Sequence, residues 1–213
     1  MRSIKKCNEP ASLTEHRAKT HTSYANLSSD AKQELRKSLV SEQQGLCCYC
    51  TTRIRANADE MKIEHWKCQS GNQDSELTYG NLLAACQGGV GQQYQDQHCD
   101  TRKGDQDLSF NPADPAHVIE RRIKFYFADG RIGSDDEQFA RELEDFLNLN
   151  HSRLKANRKG KLDAFFQWYE QARKPRKPRL EKLLGEITSE DGELEPFSPI
   201  VVALVRKKLR ITA

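Results

Sequence analysis

The amino-acid sequence predicts an α+β fold, and three observations predict it. Every cysteine except Cys7 lies between positions 47 and 99, in a stretch without a long helical period. Residues 118–127 are rich in apolar and aromatic side chains and run into Asp129-Gly130 and then Arg131-Ile132, the pattern of a β-hairpin. On both sides of these features, apolar residues recur at helical spacing. The expected molecule has a small loop-rich core that needs a metal to hold it, a further hairpin, and flanking N- and C-terminal helices.

The helices follow from their starts and stripes. Ser28-Ser29-Asp30 reads as a helix start, with Asp30 and Gln33 spaced like a capping box. Leu35, Leu39 and Val40 form its apolar stripe, and Gly45 ends it. Ser134 and Glu137 repeat the capping-box spacing ahead of Phe139, Leu143, Phe146 and Leu147, which fall at i, i+4, i+7 and i+8. A further helix is expected over residues 151–173, with Leu154, Leu162, Phe165, Phe166, Trp168 and Tyr169 inward and Pro175 and Pro178 interrupting it. Residues 180–212 read as a helix, an acidic glycine-containing loop and a last helix. The organisation is therefore 1–45, an N-terminal segment and helix; 46–112, the cysteine-bearing core; and 113–213, the hairpin and a helical region suited to docking a partner.

Composition limits the function classes. The chain has 213 residues, 36% hydrophobic and 31% charged, enough for a buried core. Its most apolar stretch, residues 200–205, is far too short to cross a bilayer. Met1-Arg2-Ser3-Ile4-Lys5-Lys6 lacks an apolar signal core, so a cytoplasmic protein without a membrane partner is expected. The net charge of +3 does not by itself require a nucleic-acid partner. Basic residues do gather at 153–161, 173–179 and 206–210, and acidic ones at 135–137 and 186–195. Such patches can track phosphates, although each taken singly reads as a solvated helix face.

Seven cysteines are many for a chain in a reducing compartment, where clustered thiols point to metal or catalysis. Cys47 and Cys50 form a C-x-x-C pair, whose thiolates can reach one ion from a single turn. Cys86 and Cys99 supply a second pair across a Gly- and Gln-rich insert, a length tolerable because loop-closure cost grows slowly. Four thiolates in a tetrahedron suit Zn2+. Cys48 and Cys68 read as ordinary packing, and Cys7 carries no reading.

A second set of residues has the types that phosphodiester hydrolysis needs. A base must take a proton from water, and a hard cation held by oxygen ligands must stabilise the leaving oxygen. His65 can be the base and Glu64 and Asp100 the oxygen ligands. Asn81 can orient the imidazole, and Lys103 or Arg102 can neutralise phosphate charge. Each alone has a bland explanation: a surface His, a capping Asn or Asp, an exposed Lys. The ordered set C-x-x-C, Glu-His, Asn-Leu-Leu, Cys, then Cys-Asp-x-x-Lys is harder to dismiss.

That order resembles the zinc-containing HNH, or ββα-metal, endonucleases. Cys47, Cys50, Glu64, His65, Asn81, Leu82, Cys86, Cys99 and Lys103 follow the family's order. The resemblance implies structural Zn2+ on Cys47, Cys50, Cys86 and Cys99, with His65 as general base. It implies Glu64 and Asp100 on a catalytic divalent metal, expected to be Mg2+, and Asn81 orienting His65. Asp100 stands where the family commonly has Asn, and the Cys86–Cys99 insert replaces a tight pair. Glu9-Pro10 with Leu13, Ile63-Glu64-His65, Tyr79-Gly80-Asn81-Leu82-Leu83 and His98-Cys99-Asp100 with Lys103-Gly104-Asp105 are similar to the PtuB-like nucleases of retron and Septu anti-phage systems. That resemblance implies an effector that hydrolyses DNA, or else tRNA. It also implies a P-loop (PtuA-like) ATPase partner and, in retron versions, a reverse transcriptase with its RNA–DNA product. The alternative reading is a non-catalytic zinc module that binds nucleic acid or a partner protein. Such a module has no need for a base beside hard-metal ligands.

Overall fold

The structure is a computed structural model that describes residues 1–171, 176–189 and 191–211. Arg173 and Pro175, Glu190 and Thr212 of the sequence reading lie outside the described residues.

The N-terminal segment forms α1 (Ala11–Arg17), which packs on α2 (Ser29–Glu42). The cap of α2 is Ser28, whose hydroxyl accepts from the Ala31 amide. The expected Asp30–Gln33 box does not form, because the Gln33 amide instead reaches the carbonyl of Ala56. Leu35 and Leu39 bury completely, and the helix lies against β2.

At the centre, β1 (Met61–His65) pairs antiparallel with β2 (Leu82–Cys86), with Met61 opposite Cys86 and His65 opposite Leu82. All of β2 is buried, which matches its run of small and apolar residues. Cys48, in the turn before β1, donates its amide to Ala84, so the first cysteine pair hangs on the sheet. A short helix α3 (Cys99–Lys103) then packs on β2.

The hairpin is shorter than its sequence pattern. Residues Ile119–Arg122 turn as a one-turn helix α4, and only β3 (Lys124–Tyr126) pairs with β4 (Arg131–Gly133). Ile119 is fully buried in the core from this turn. The turn glycine, Gly130, has φ +75°, and its amide bonds to the Tyr126 carbonyl. Next, α5 (Glu137–Arg141) is capped by Asp136, whose carboxylate accepts from Phe139, and runs on as a wider π-type turn over Glu142–Phe146. Ser134 sits outside this cap and accepts from the Asp136 amide. Phe139, Leu143 and Leu147 are fully buried.

The C-terminal region holds α6 (Ser152–Glu170), α7 (Arg176–Ile187) and α8 (Ser198–Leu209). Pro178 falls in the first turn of α7, where proline is tolerated, and does not interrupt that helix. Leu162, Phe165, Leu180, Ile200, Val201, Leu204 and Val205 make a second core here, while the first runs from Met1 to Leu154 and takes in Phe197. Within the basic run 153–161, Arg158 is buried and donates to the carbonyls of Gly130 and Leu149, so it stitches the hairpin to α6. Among the described residues, no helix is long and apolar enough to cross a membrane.

Candidate active site

Four sulfurs converge behind the sheet. Cys47 and Cys50 lie on a tight turn closed by the Cys47 amide on Thr52 and the Thr51 amide on Cys47. Cys86 ends β2, and Cys99 opens α3 with a left-handed φ of 56°, a conformation sparsely used by residues other than glycine. Their Sγ atoms all lie within 4.8 Å of one another and are buried. The Cys47–Cys99 separation is 3.9 Å and the Cys50–Cys86 separation 3.7 Å. A zinc ion at about 2.3 Å from each of four sulfurs requires edges of about 3.8 Å, so the residues fit a tetrahedral ion. The Cys86 amide also donates to the Cys47 sulfur, an orienting bond typical of thiolate sites. Cys48 and Cys68 are buried outside this group, and Cys7 is exposed. His98 lies alongside, with Nδ1 3.2 Å from the Cys99 sulfur.

Along β1 opens a cleft of about 560 Å³ whose lining includes His65, Glu64, Asp100, Lys103, Lys62 and Arg36. Strand β1 supplies the first two, and α3 supplies the Asp and the buried Lys. The cysteines therefore do positional work: Cys99 and Asp100 are neighbours, so fixing the sulfur fixes the carboxylate.

The imidazole of His65 is held on two sides. Nε2 lies 3.0 Å from the Glu76 carbonyl, which can only accept, so Nε2 carries the hydrogen and Nδ1 keeps its lone pair. The ring of Tyr24 meets it edge-on at 4.6 Å between centroids. Burial lowers the imidazole pKa below its ordinary 6.5, against the opposing pull of the Glu76 carbonyl. The neutral, proton-accepting form is therefore the resting one at neutral pH.

Glu64 is almost wholly enclosed and accepts from the Tyr49 hydroxyl at 2.6 Å and the Lys103 ammonium at 2.8 Å. Burial, and then its hydrogen bond with Asp100, push its carboxyl well above the usual range. Burial alone would raise Asp100 too, but the hydrogen bond from Glu64 and the charge of Lys62, 3.0 Å away, hold it low. The two acids are thus coupled, Glu64 pushed up and Asp100 held down.

Three expectations need correction. Lys103 is buried, not exposed: its ammonium bonds to the His65 carbonyl at 2.8 Å and to Glu64, so it braces the end of β1 and is not free to meet a phosphate. Arg102, one position earlier, turns away from the cleft. Its guanidinium stacks on Tyr94 at 3.6 Å and donates to the carbonyls of Tyr94 and Asp145. Asn81 does not hydrogen-bond the imidazole. Its carbonyl accepts from the Lys67 amide at 2.7 Å, and its NH2 reaches the carbonyls of Lys67 and Ser75. It closes the loop between the strands, and that loop presents Glu76 to His65. The cleft cations Lys62 and Arg36 and the partners Tyr24 and Tyr49 were not picked out from sequence. Tyr49 stands in the Cys-x-Tyr-Cys motif that the chain shares with the PtuB-like nucleases, a signal for the position but not for its contact with Glu64.

No family model matches the chain. A stretch of 63 residues is 36% identical to a protein of Escherichia coli described as "Retron Ec83 putative HNH endonuclease". The chain is thus a partial homologue of a retron HNH endonuclease. The match covers 27% of this chain and 24% of that protein.

Two expected results follow from the site. Lys103→Met removes the only ammonium against Glu64 among the described residues and leaves the Glu64 carboxyl and the His65 carbonyl without that buried donor, which should destabilise the fold by about 1–3 kcal/mol. Without Lys103 the folded-state pKa of Glu64 rises further, so the variant is least impaired below 4.5, the ordinary carboxylate value, and loses stability as pH increases. Urea denaturation at pH 5 and pH 8 checks both statements. Asn81→Ala opens the loop and leaves buried backbone groups unpaired, costing about 1–3 kcal/mol. Urea denaturation of the variant beside wild type checks this value.

Proposed function

We propose that this chain is a metal-dependent HNH endonuclease that hydrolyses phosphodiester bonds of nucleic acid. The observation that carries the reading is the cleft itself. An imidazole with a free Nδ1 and two coupled carboxylates share one space, held by a helix whose first residue belongs to the four-cysteine cluster. The partial homologue described as an HNH endonuclease supports it.

In this reading His65 Nδ1 takes the proton of a water molecule while its oxygen attacks phosphorus, and Nε2–H on Glu76 holds the ring in place as it becomes cationic. The bond from phosphorus to the leaving ester oxygen breaks. Glu64 and Asp100 would hold the divalent cation, Mg2+ by ligand type, since two carboxylates completed by water and phosphate suit it. That cation would supply charge stabilisation to the phosphate and the leaving oxygen. Lys103 then acts as a positioning residue, and the four cysteines hold zinc that keeps α3 in register with β1.

DNA is the default substrate and tRNA its competitor, because the site grips phosphate and sugar without reading bases. The word retron in the homologue's description supports an effector role in anti-phage defence. The further proposal is a complex with a P-loop ATPase, tested by co-purification, and with a reverse transcriptase and its RNA–DNA product. The deciding experiment incubates purified protein with labelled duplex DNA, single-stranded DNA and tRNA, in Mg2+, without added divalent metal, and in chelator, with a thermal melt under each condition to separate loss of the catalytic metal from loss of zinc. Cleavage that needs the metal supports the reading. Binding without cleavage in Mg2+ or Mn2+ would favour the zinc module instead.

A further inference from the structure

The cleft is lined by cations of unequal standing. Lys103 is committed to Glu64 and the His65 carbonyl, and Lys62 to Asp100. Arg36, which comes from α2 and lies far away in sequence, also lines the cleft. It is half-buried, its Nε is sealed from solvent, and no acceptor for that Nε is present among the described residues. None of the ion pairs among the described residues uses its guanidinium. Helix geometry explains the placement. Leu35 and Leu39 point into the core, and Arg36 is rotated by about 100° from Leu35, which brings it to the rim of the buried stripe on the side of Tyr24 and the cleft. The electrostatics agree, since the charges of both Arg36 and Asp100 reach the Tyr24 hydroxyl.

We infer that Arg36 is the substrate-phosphate clamp of this site: its guanidinium binds a phosphodiester of the nucleic acid lying in the His65–Asp100 cleft. A guanidinium offers a planar pair of donors that fits two phosphate oxygens, and it keeps its charge when partly desolvated. The inference rests on the nuclease reading above and deepens it by naming the group that seats the backbone. It also replaces Arg102 and Lys103, which tertiary contacts take out of that role.

The test uses the full-length protein with a 20-nucleotide single-stranded DNA. Binding is measured by fluorescence anisotropy without added Mg2+, and cleavage in Mg2+. Arg36→Ala should weaken binding about tenfold, reduce the slope of log affinity against log salt by about one, and raise KM more than it lowers kcat. Arg36→Lys should recover part of the loss, and free guanidinium should rescue Arg36→Ala. Lys37→Ala removes the same charge from the next, exposed position and should leave both readouts unchanged. A substrate with one neutral methylphosphonate, walked along the strand, should show one linkage near the cut whose neutralisation harms wild type but not Arg36→Ala. Thermal melts confirm that each variant is folded, and Arg36→Gln replaces Arg36→Ala if the latter is not. Equal effects of Arg36→Ala and Lys37→Ala, or no methylphosphonate position masked by the variant, would overturn the clamp while leaving the nuclease standing. A wild type that neither binds nor cuts would instead overturn the nuclease reading, and the clamp with it.

Discussion

His65→Ala should leave a folded, zinc-loaded protein that no longer cuts, with turnover down by about 10²–10⁴, the usual worth of a positioned general base. The imidazole is buried and, among the described residues, hydrogen-bonds the Glu76 carbonyl, so alanine also costs some packing against Tyr24. His65→Gln separates the two effects. Its amide can still donate to the Glu76 carbonyl, but it offers no basic nitrogen. Both variants should lose cleavage, and the glutamine variant should melt closer to wild type. The pH profile gives a second readout. A base works deprotonated, and burial lowers this one below 6.5, so the rate should be flat through neutral pH and fall only on the acid side of that value. Stability follows the same sign: protonation favours the unfolded chain, so this contribution is lost as pH drops below 6.5. Normal cleavage by either variant would end the assignment at this site.

Removing the metal expected in the cysteine cluster should have the largest effect on the fold. Apparent binding energies for structural zinc run at about 10–16 kcal/mol, as large as or larger than the roughly 5–15 kcal/mol that separates most domains from their unfolded state. Here the ion would tie the turn carrying Cys47 and Cys50 to the end of β2 and to the start of α3. Without it, four buried sulfurs face one another: burial and the neighbouring sulfurs hold Cys99 as a thiol, while the others' hydrogen bonds pull Cys47 towards thiolate. Purified protein should contain one zinc per chain by elemental analysis. Chelator, or Cys50→Ser, should lower the melting temperature by 10 °C or more, since even about 5 kcal/mol corresponds to about 10–20 °C for a chain of this size. Metal-free protein with an unchanged melting temperature would contradict this account.

The cysteine spacing was readable because ligand chemistry is local: C-x-x-C places two sulfurs on one turn whatever surrounds it. The hairpin was readable at Asp129-Gly130 for the same reason, since Gly130 takes a positive φ that few other residues accept. Helix caps were misread by a residue or two because Ser28, Ser29 and Asp30, or Ser134 and Asp136, all carry suitable oxygens. Only the chain's path selects one of them. Residues 118–122 read as strand because they lead into the apolar and aromatic run ahead of Asp129-Gly130, yet the backbone turns there as α4 with Ile119 buried.

The candidate site shows the same division at finer grain. The amino-acid order alone placed an imidazole beside a carboxylate, with cysteines on either side of them, because those are properties of neighbours; that both lie on one strand came from the structure. Which cation would face a phosphate was settled elsewhere. Adjacent side chains on α3 diverge by about 100°, so Lys103 sinks against Glu64 while Arg102 swings out to Tyr94. Asn81 bonds to a loop that exists only once β1 and β2 have paired. Arg36 enters the cleft from a helix laid across β2, a juxtaposition fixed by burial of Leu35 and Leu39 and invisible to any local pattern.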